Sequence, residues 1–343
     1  MATAPGGLIN TGIVPASPIG TELAAITRRA FIPNLIVQIY QATPVLNMLM
    51  RGAQNAKGGV GQVVVPVQGN SFVSAEWIDF GGSFTQPADT TAIQDAQQNL
   101  TVLAVPISFF GMEALIQSSD VVIPRLKAKM ADIRNVAVQS LSNALYTFNT
   151  AATVMSGLPQ AYDDGTGAST SYANIDRAVA ANAFWKAQQT ATAGGILTRS
   201  AMLTKLVQTM NGAGGEAVDL VIMSPSDWTT LMQDFLTLEQ FNTMPGVQYG
   251  KDSTVNAGFR ALKLGDTNIV ADLYCPKGTA YMINTKYFAL YISEDAKFAF
   301  SGFYSAIPNL QVANVGLMIC GLQTISVKPV SGRKITGITG GAF

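Results

Sequence analysis

Histidine is absent from all 343 residues. That removes the commonest general base and the commonest zinc and copper ligand, so a Ser-His-Asp or Cys-His catalytic site is impossible within one chain. Cysteine is nearly as scarce. Cys275 and Cys320 stand alone without CxxC spacing and read as buried free thiols. Charge is the third shortage: 21 Lys and Arg balance 21 Asp and Glu, and charged residues make up 12% of the chain. That is about half the ~25% of an ordinary soluble protein. Hydrophobic residues reach 48% and mean hydropathy is +0.26. Too little charge is present to cover a monomer's surface, which leaves a membrane or an extensive subunit interface as the home of the apolar surface.

No uncharged stretch suits a membrane. Residues 30–50 are long enough to span but carry Pro33, Pro44, two Asn and two Gln; residues 298–327 are broken by Gly302, Pro308, Gly316 and Gly321. The start, MATAPGGLINTG, is small and turn-rich, and the first basic residue is Arg28, so no secretory signal is read and a cytosolic protein is expected. Interface is what remains. Formal neutrality also argues against a tight grip on nucleic acid, because the densest basic run, Arg125, Lys127, Lys129 and Arg134, is diluted by Asp120 and Asp132.

Along the chain, the first ~50 residues read as an extended arm with one short helix over Glu22–Ile39. The apolar side chains of that arm, Phe31 and Leu35 among them, are expected on another surface. Two strand signals follow, Gly61–Gln68 and Asn99–Phe110, separated by about thirty residues, too long for a tight hairpin. A disordered connection would be poor in aromatics, yet this one holds Phe72, Trp77, Phe80 and Phe84. It reads as a long projecting β-hairpin whose aromatic knobs dock on a neighbour, the alternative being a segment folded back as local core.

From Ser119 to Asn149, apolar residues recur at 126, 130, 133, 137, 141, 145 and 148, which keeps one face of a single long helix apolar. Ser119 or Asp120 suits its cap, with Pro124 near the first turn. Beyond a polar break at 163–171, helices are expected over Ile175–Gln189 and Leu197–Asn211, then a buried strand at Val218–Met223. Ser224-Pro225-Ser226-Asp227 reads as a helix start. Strands are then expected at Phe259–Leu264, Asn268–Asp272, Ala280–Asn284, Phe288–Ile292, Phe298–Phe300, Gln311–Cys320 and Leu322–Lys328.

The remaining motifs weigh little. Gly58-Gly59-Val60-Gly61 and Gly165-Thr166-Gly167 do not follow a strand and open a helix, as a dinucleotide fingerprint must. Asp163-Asp164-Gly165 lacks the alternating oxygen ligands of a calcium loop, and Ser331 with Lys334 lies in a Gly-rich tail that offers no cleft to dehydrate the amine. No catalytic residue, cofactor or metal is expected.

The order of elements, together with LPQAYDDGTGASTSYANIDRAVAANAFWK (residues 158–186), VDLVIMSPSDWTTL (218–231) and ADLYCPKGTAYMINTKYFALYI (271–292), resembles the major capsid protein of tailed bacteriophages. That is the Hong Kong 97-type fold, shared with encapsulin nanocompartments. The resemblance implies an α+β chain divided into an N-terminal arm (1–50), an extended loop with flanking strands (51–110) and a spine helix of the peripheral domain (111–154). An axial domain with peripheral-domain strands (155–320) and a C-terminal strand and tail (321–343) follow. It implies a structural protein that assembles with itself through hexamers and pentamers into an icosahedral shell around double-stranded DNA, located in the virion after assembly in the host bacterial cytoplasm. Scaffolding and portal proteins, a decoration protein and weak nonspecific contact with packaged DNA are the implied partners, with no membrane. Some members weld subunits through a Lys–Asn bond, but residues 58–123 hold no Lys, so noncovalent overlap is expected. Some begin with a long charged scaffolding segment that is cleaved off; this sequence shows none, so a separate scaffold or mature numbering is implied. The implied interface residues are Phe31, Leu35, Phe72, Trp77, Phe80 and Phe84. An encapsulin-like shell around a cargo enzyme and an oligomeric α/β enzyme remain as alternatives.

Overall fold

The computed structural model of the chain describes residues 43–56, 61–69, 76–83, 93–110, 119–149, 153–166, 170–191, 195–239, 261–294, 296–305 and 313–339. The expected helix at Glu22–Ile39 lies outside the described residues. The first described element is helix α1, Pro44–Arg51, with Pro44 at its first position, where a missing N–H costs nothing. Val45, Leu46, Leu49 and Met50 bury one face of it, so this end of the segment read as an arm packs into its own subunit.

Strands β1 (Gln54–Ala56), β2 (Gln62–Gln68), β3 (Ile93–Asn99) and β4 (Thr101–Phe110) follow. Here the sequence reading needs correction. The partner of β2 is not the β-branched segment after residue 99 but β3, IQDAQQN, which pairs antiparallel from Gln62↔Asn99 to Gln68↔Ile93. Its polar side chains hide a strand whose ladder is made by the backbone, with Ala96 turned inward between the buried Val63 and Val67 of β2. After a single residue the chain crosses to another sheet as β4.

Helix α2, Ser119–Tyr146, is 28 residues long, roughly 42 Å at 1.5 Å per residue. Ile133, Ala137, Leu141 and Leu145 lie on its buried face, as the periodicity required. The side chains of Ser119 and Asp120, the expected caps, lie outside the described residues. The chain then doubles back on the helix end. Asn149 Nδ2 donates to the carbonyls of Ala144 (3.2 Å) and Met155 (3.0 Å). Gly157 lies so close to the last helical turn that a Cβ there would sit 2.7 Å from the carbonyl oxygens of Ala144 and Leu145.

The helix expected over Ile175–Gln189 does not form. The segment is a hairpin of β5 (Ser171–Tyr172) and β6 (Ile175–Asp176), a 3-10 stretch Ala180–Trp185, and β7 (Gln188–Ala191). Ala173 and Asn174, both with positive φ (50° and 63°), make the hairpin turn. Tertiary packing overrides the alanine-rich propensity because Arg177 and Trp185 are both fully buried. Trp185 Nε1 donates to the Tyr172 carbonyl (2.9 Å).

Helix α3 (Arg199–Gly212), β8 (Leu220–Met223) and α4 (Pro225–Glu239) come next. The expected cap of α4 is present: Ser224 Oγ accepts from the Asp227 N–H (3.2 Å) and donates to Asp227 Oδ2 (2.7 Å). Strands β9 (Ala261–Leu264), β10 (Thr267–Ala271), β11 (Thr279–Ile283), β12 (Phe288–Ser293), β13 (Ala299–Ser305), β14 (Ala313–Ser326) and β15 (Arg333–Thr336) complete the described chain. β14 is one continuous strand of 14 residues where two were expected, running unbroken through Gly321.

Two main sheets result. One has the order β7-β15-β11-β8-β10-β9; the other has β14 at its heart, flanked by β4, β12 and β13, with β1 on the outer side of β12. Every residue of β8 is buried because both faces of its sheet are covered. Leu220 and Ile222 face the larger core, which includes α1, the end of α2 and the β14 sheet. Val221 and Met223 face a second core with Met202 of α3 and Trp228, Leu231 and Phe235 of α4. Among the described residues, no helix is long and apolar enough to cross a membrane.

Candidate subunit interface

The aromatic loop is where the sequence pointed, and two of its knobs are described. Trp77 and Phe80 are 104% and 106% exposed, so neither side chain is covered by its own subunit. Phe80 stands on a tight turn and Trp77 two residues before it. The Gly82 N–H donates to the Asp79 carbonyl (2.9 Å), the Phe80 N–H to Asp79 Oδ1 (2.8 Å), and Gly81 at the third position has φ +87°, as a type II turn requires. The folded-back alternative therefore does not hold for these two residues. Phe31, Leu35, Phe72 and Phe84 lie outside the described residues.

Three further surfaces went unread in the sequence. Leu203, Val207 and Met210 leave an exposed apolar stripe along α3 at spacings of four and three; a periodicity that reads as core here faces outward. Val102, Val136 and Val154 are exposed too, and Val102 and Val154 line a mainly apolar groove of about 180 Å³ between β4 and α2. A third cavity, about 360 Å³, lies at the root of the loop between Pro66, Val67, Phe184, Tyr287, Val327 and Val330. Beside it, the Tyr287 hydroxyl donates to Glu216 Oε1 (2.6 Å), while Lys286 Nζ and Lys328 Nζ lie 5.1 and 5.3 Å from the Tyr287 ring centroid. The Tyr287 hydrogen bond holds the Glu216 carboxyl below its ordinary value, and contact with Tyr287 raises the Lys286 amine.

The titratable groups inside are structural in their surroundings. Arg177 donates from Nε to the Trp185 carbonyl (3.0 Å), from Nη1 to Gln160 (2.8 Å) and from Nη2 to Ala161 (2.8 Å), and its guanidinium lies 4.8 Å from the Tyr172 ring centroid. Burial pushes its pKa down to about 10, while Tyr172, Asp163 and Asp164 favour its charge. Burial raises the Asp272 carboxyl, although the Tyr274 N–H (3.0 Å) bonds Oδ1 and favours the ionised form. Cys275 is pushed well above its ordinary value, and Cys320 up to about 11, both by burial. A cleft of about 510 Å³ is lined chiefly by carboxamides and small polar groups such as Gln62, Gln97, Asn149, Gln160 and Gln323. Its lining carries no Asp, Glu, Lys or Arg; its phenol, Tyr172, is pushed up to about 12 by burial and its hydroxyl accepts from the Ser326 N–H (2.9 Å). Among the described residues, no group of three or more metal-ligating side chains comes together.

Comparison with known proteins finds no matching family model and no matching curated protein. Solved structures do match. A chain of the cyanophage A-1(L) capsid asymmetric unit superposes with a TM-score of 0.66 at 15% identity, over 87% of this chain and 93% of its own. A chain from Mycobacterium phage Patience superposes with a TM-score of 0.51 at 12% identity, over 98% and 96%. A chain of the holo-SrpI encapsulin complex from Synechococcus elongatus PCC 7942 gives 0.50 at 10% identity, over 86% and 89%. The chain has the Hong Kong 97-type capsid fold.

Proposed function

We propose that this chain is the major capsid protein of a tailed bacteriophage, a structural subunit without catalytic activity that assembles through hexamers and pentamers into an icosahedral shell enclosing double-stranded DNA. The observation that carries the reading is the pairing of this fold with two fully exposed aromatic side chains, Trp77 and Phe80, between β2 and β3. Exposed Trp and Phe knobs on a charge-poor chain are a cost in water unless a partner covers them. The likeness to phage capsid chains supports a second copy as that partner. The knobs and the surfaces able to receive them lie on different parts of one chain, so in this reading the contact runs head to tail, and such contacts close into rings when the rotation allows.

In this reading residues 51–110 form the loop that overlies a neighbour with its flanking strands, residues 111–154 carry the spine helix of the peripheral domain, and residues 155–320 build the axial part around each ring together with strands of the peripheral domain. Residues 1–50 supply the arm, Phe31 and Leu35 included, with its end, α1, packed on its own subunit, and residues 321–343 the closing strand and tail. Phe72 and Phe84 join Trp77 and Phe80 as loop anchors. Zero net charge suits a container that holds DNA without gripping it at every site. Scaffolding, portal and decoration proteins are the further partners, and assembly takes place in the host cytoplasm before the protein resides in the virion.

Light scattering and negative-stain electron microscopy of the purified protein at neutral pH test the proposal. Closed shells, or rings that convert to shells, are expected. A monomer or dimer that assembles under no salt condition would sink it. Shells that form around a co-purified enzyme would favour the encapsulin alternative, whose fold this chain also matches.

A further inference from the structure

We infer that the loop tip of one copy, Trp77 to Phe80, docks in the cavity at the root of the loop of a second copy, between Phe184, Tyr287 and Val330. This rests on the assembly reading above and names the receiving surface within it.

The two halves match in shape and chemistry. The tip offers two uncovered aromatic side chains next to Glu76 and Asp79. The cavity, about 360 Å³, is walled by Pro66, Val67, Phe184, Tyr287, Val327 and Val330, with Lys328 also in its lining. That volume falls within the ~300–1,000 Å³ of pockets that take compact apolar groups. Lys286 joins Lys328 on the Tyr287 ring, and although Glu216 offsets one of these charges, the rim keeps a positive excess to meet two acidic residues on the tip.

The walls are fixed before any partner arrives. Phe184 packs so closely on Gly69 that a Cβ there would fall 2.0 Å from its ring, and it stands edge-on to the buried Trp185 at 6.1 Å. Tyr287 is held by its bond to Glu216 and by the Val327 N–H, which donates to its carbonyl (2.9 Å). A preformed pocket lowers the ordering cost of docking. A tip seated at the next copy's root leaves that copy's own tip free, either for a third copy or to return to the first as a two-fold pair, and the assembly reading takes the former. The contact propagates head to tail and closes when the rotation allows.

The test is zero-length carbodiimide coupling of assembled full-length protein, mixed from light and heavy-isotope preparations, followed by peptide mass spectrometry. The expected product joins Glu76 or Asp79 of one isotope to Lys328 or Lys286 of the other. Trp77→Ala is expected to raise the protein concentration needed for assembly about thirtyfold, the ratio that corresponds to a hot-spot truncation of 2 kcal/mol. Lys328→Glu should weaken assembly, and adding Asp79→Lys should restore it, a rescue that a merely destabilised subunit would not show. Shells that lack the mixed-isotope link, with Trp77→Ala assembling like the parent, would overturn this docking while leaving the capsid reading in place. A protein that never assembles would overturn both.

Discussion

Replacing Arg177 by Met removes the donor for three backbone carbonyls at once, those of Gln160, Ala161 and Trp185, at a side chain with no solvent exposure. Each buried carbonyl left without a partner costs about 1–3 kcal/mol, but neighbouring losses do not add fully, and Met recovers apolar burial. We expect a net loss of about 3–5 kcal/mol, in the range for breaking one side of a buried charged contact. Against a typical total of ~5–15 kcal/mol that is a large fraction. The assay is urea denaturation of the unassembled subunit, with Arg177→Lys as companion. A lysine has three donors on one atom and cannot reach three diverging carbonyls, so it should fall between the parent and Met. An Arg177→Met subunit within ~1 kcal/mol of the parent at unchanged slope would refute the idea that this guanidinium ties the chain after α2 to the segment 171–187.

Three other outcomes are expected. Asp272 carries a carboxyl whose folded pKa is raised by burial, so its stabilising contribution is present below the ordinary carboxylate range and is lost as pH rises through the folded value. Asp272→Asn, fixed in the neutral form, should therefore gain on the parent as pH rises from about 4 to 7, and urea midpoints whose difference does not change with pH would contradict this. Gly332→Ala places a Cβ 2.1 Å from the fully buried Tyr162 ring and 2.9 Å from the Met282 carbonyl oxygen, so a loss of about 1–3 kcal/mol is expected in the same assay. Parent-like stability would mean that the Tyr162 ring swings aside. Both cysteines should resist a thiol-specific chromogenic reagent at pH 8 until the subunit unfolds, because burial holds them protonated; fast labelling of native protein would show otherwise.

Residues 133–145 show what the sequence alone determined. A helix with one apolar face needs only local hydrogen bonds and a period near 3.6, and both are written in consecutive residues, so α2 was legible almost to its ends. The same holds for the Ser224–Asp227 cap and the two-sided burial of β8. The missing histidine and the sparse charge likewise excluded whole classes of chemistry before any fold was known, and the loop composition implies the exposure that Trp77 and Phe80 show. Tertiary structure alone decided the rest. β3 is a strand because β2 lies beside it, and nothing in IQDAQQN announces that. Residues 175–189 have a helical composition, yet the burial of Arg177 and Trp185 outweighs propensities of a few tenths of a kcal/mol per residue. The cavity at the root of the loop draws on residues 66, 184, 287 and 330, brought together only because two sheets and a hairpin pack on one core. Local period is carried by neighbours in sequence, whereas pairing and concavity are set by residues far apart in the chain, whose contacts depend on the whole fold being in place.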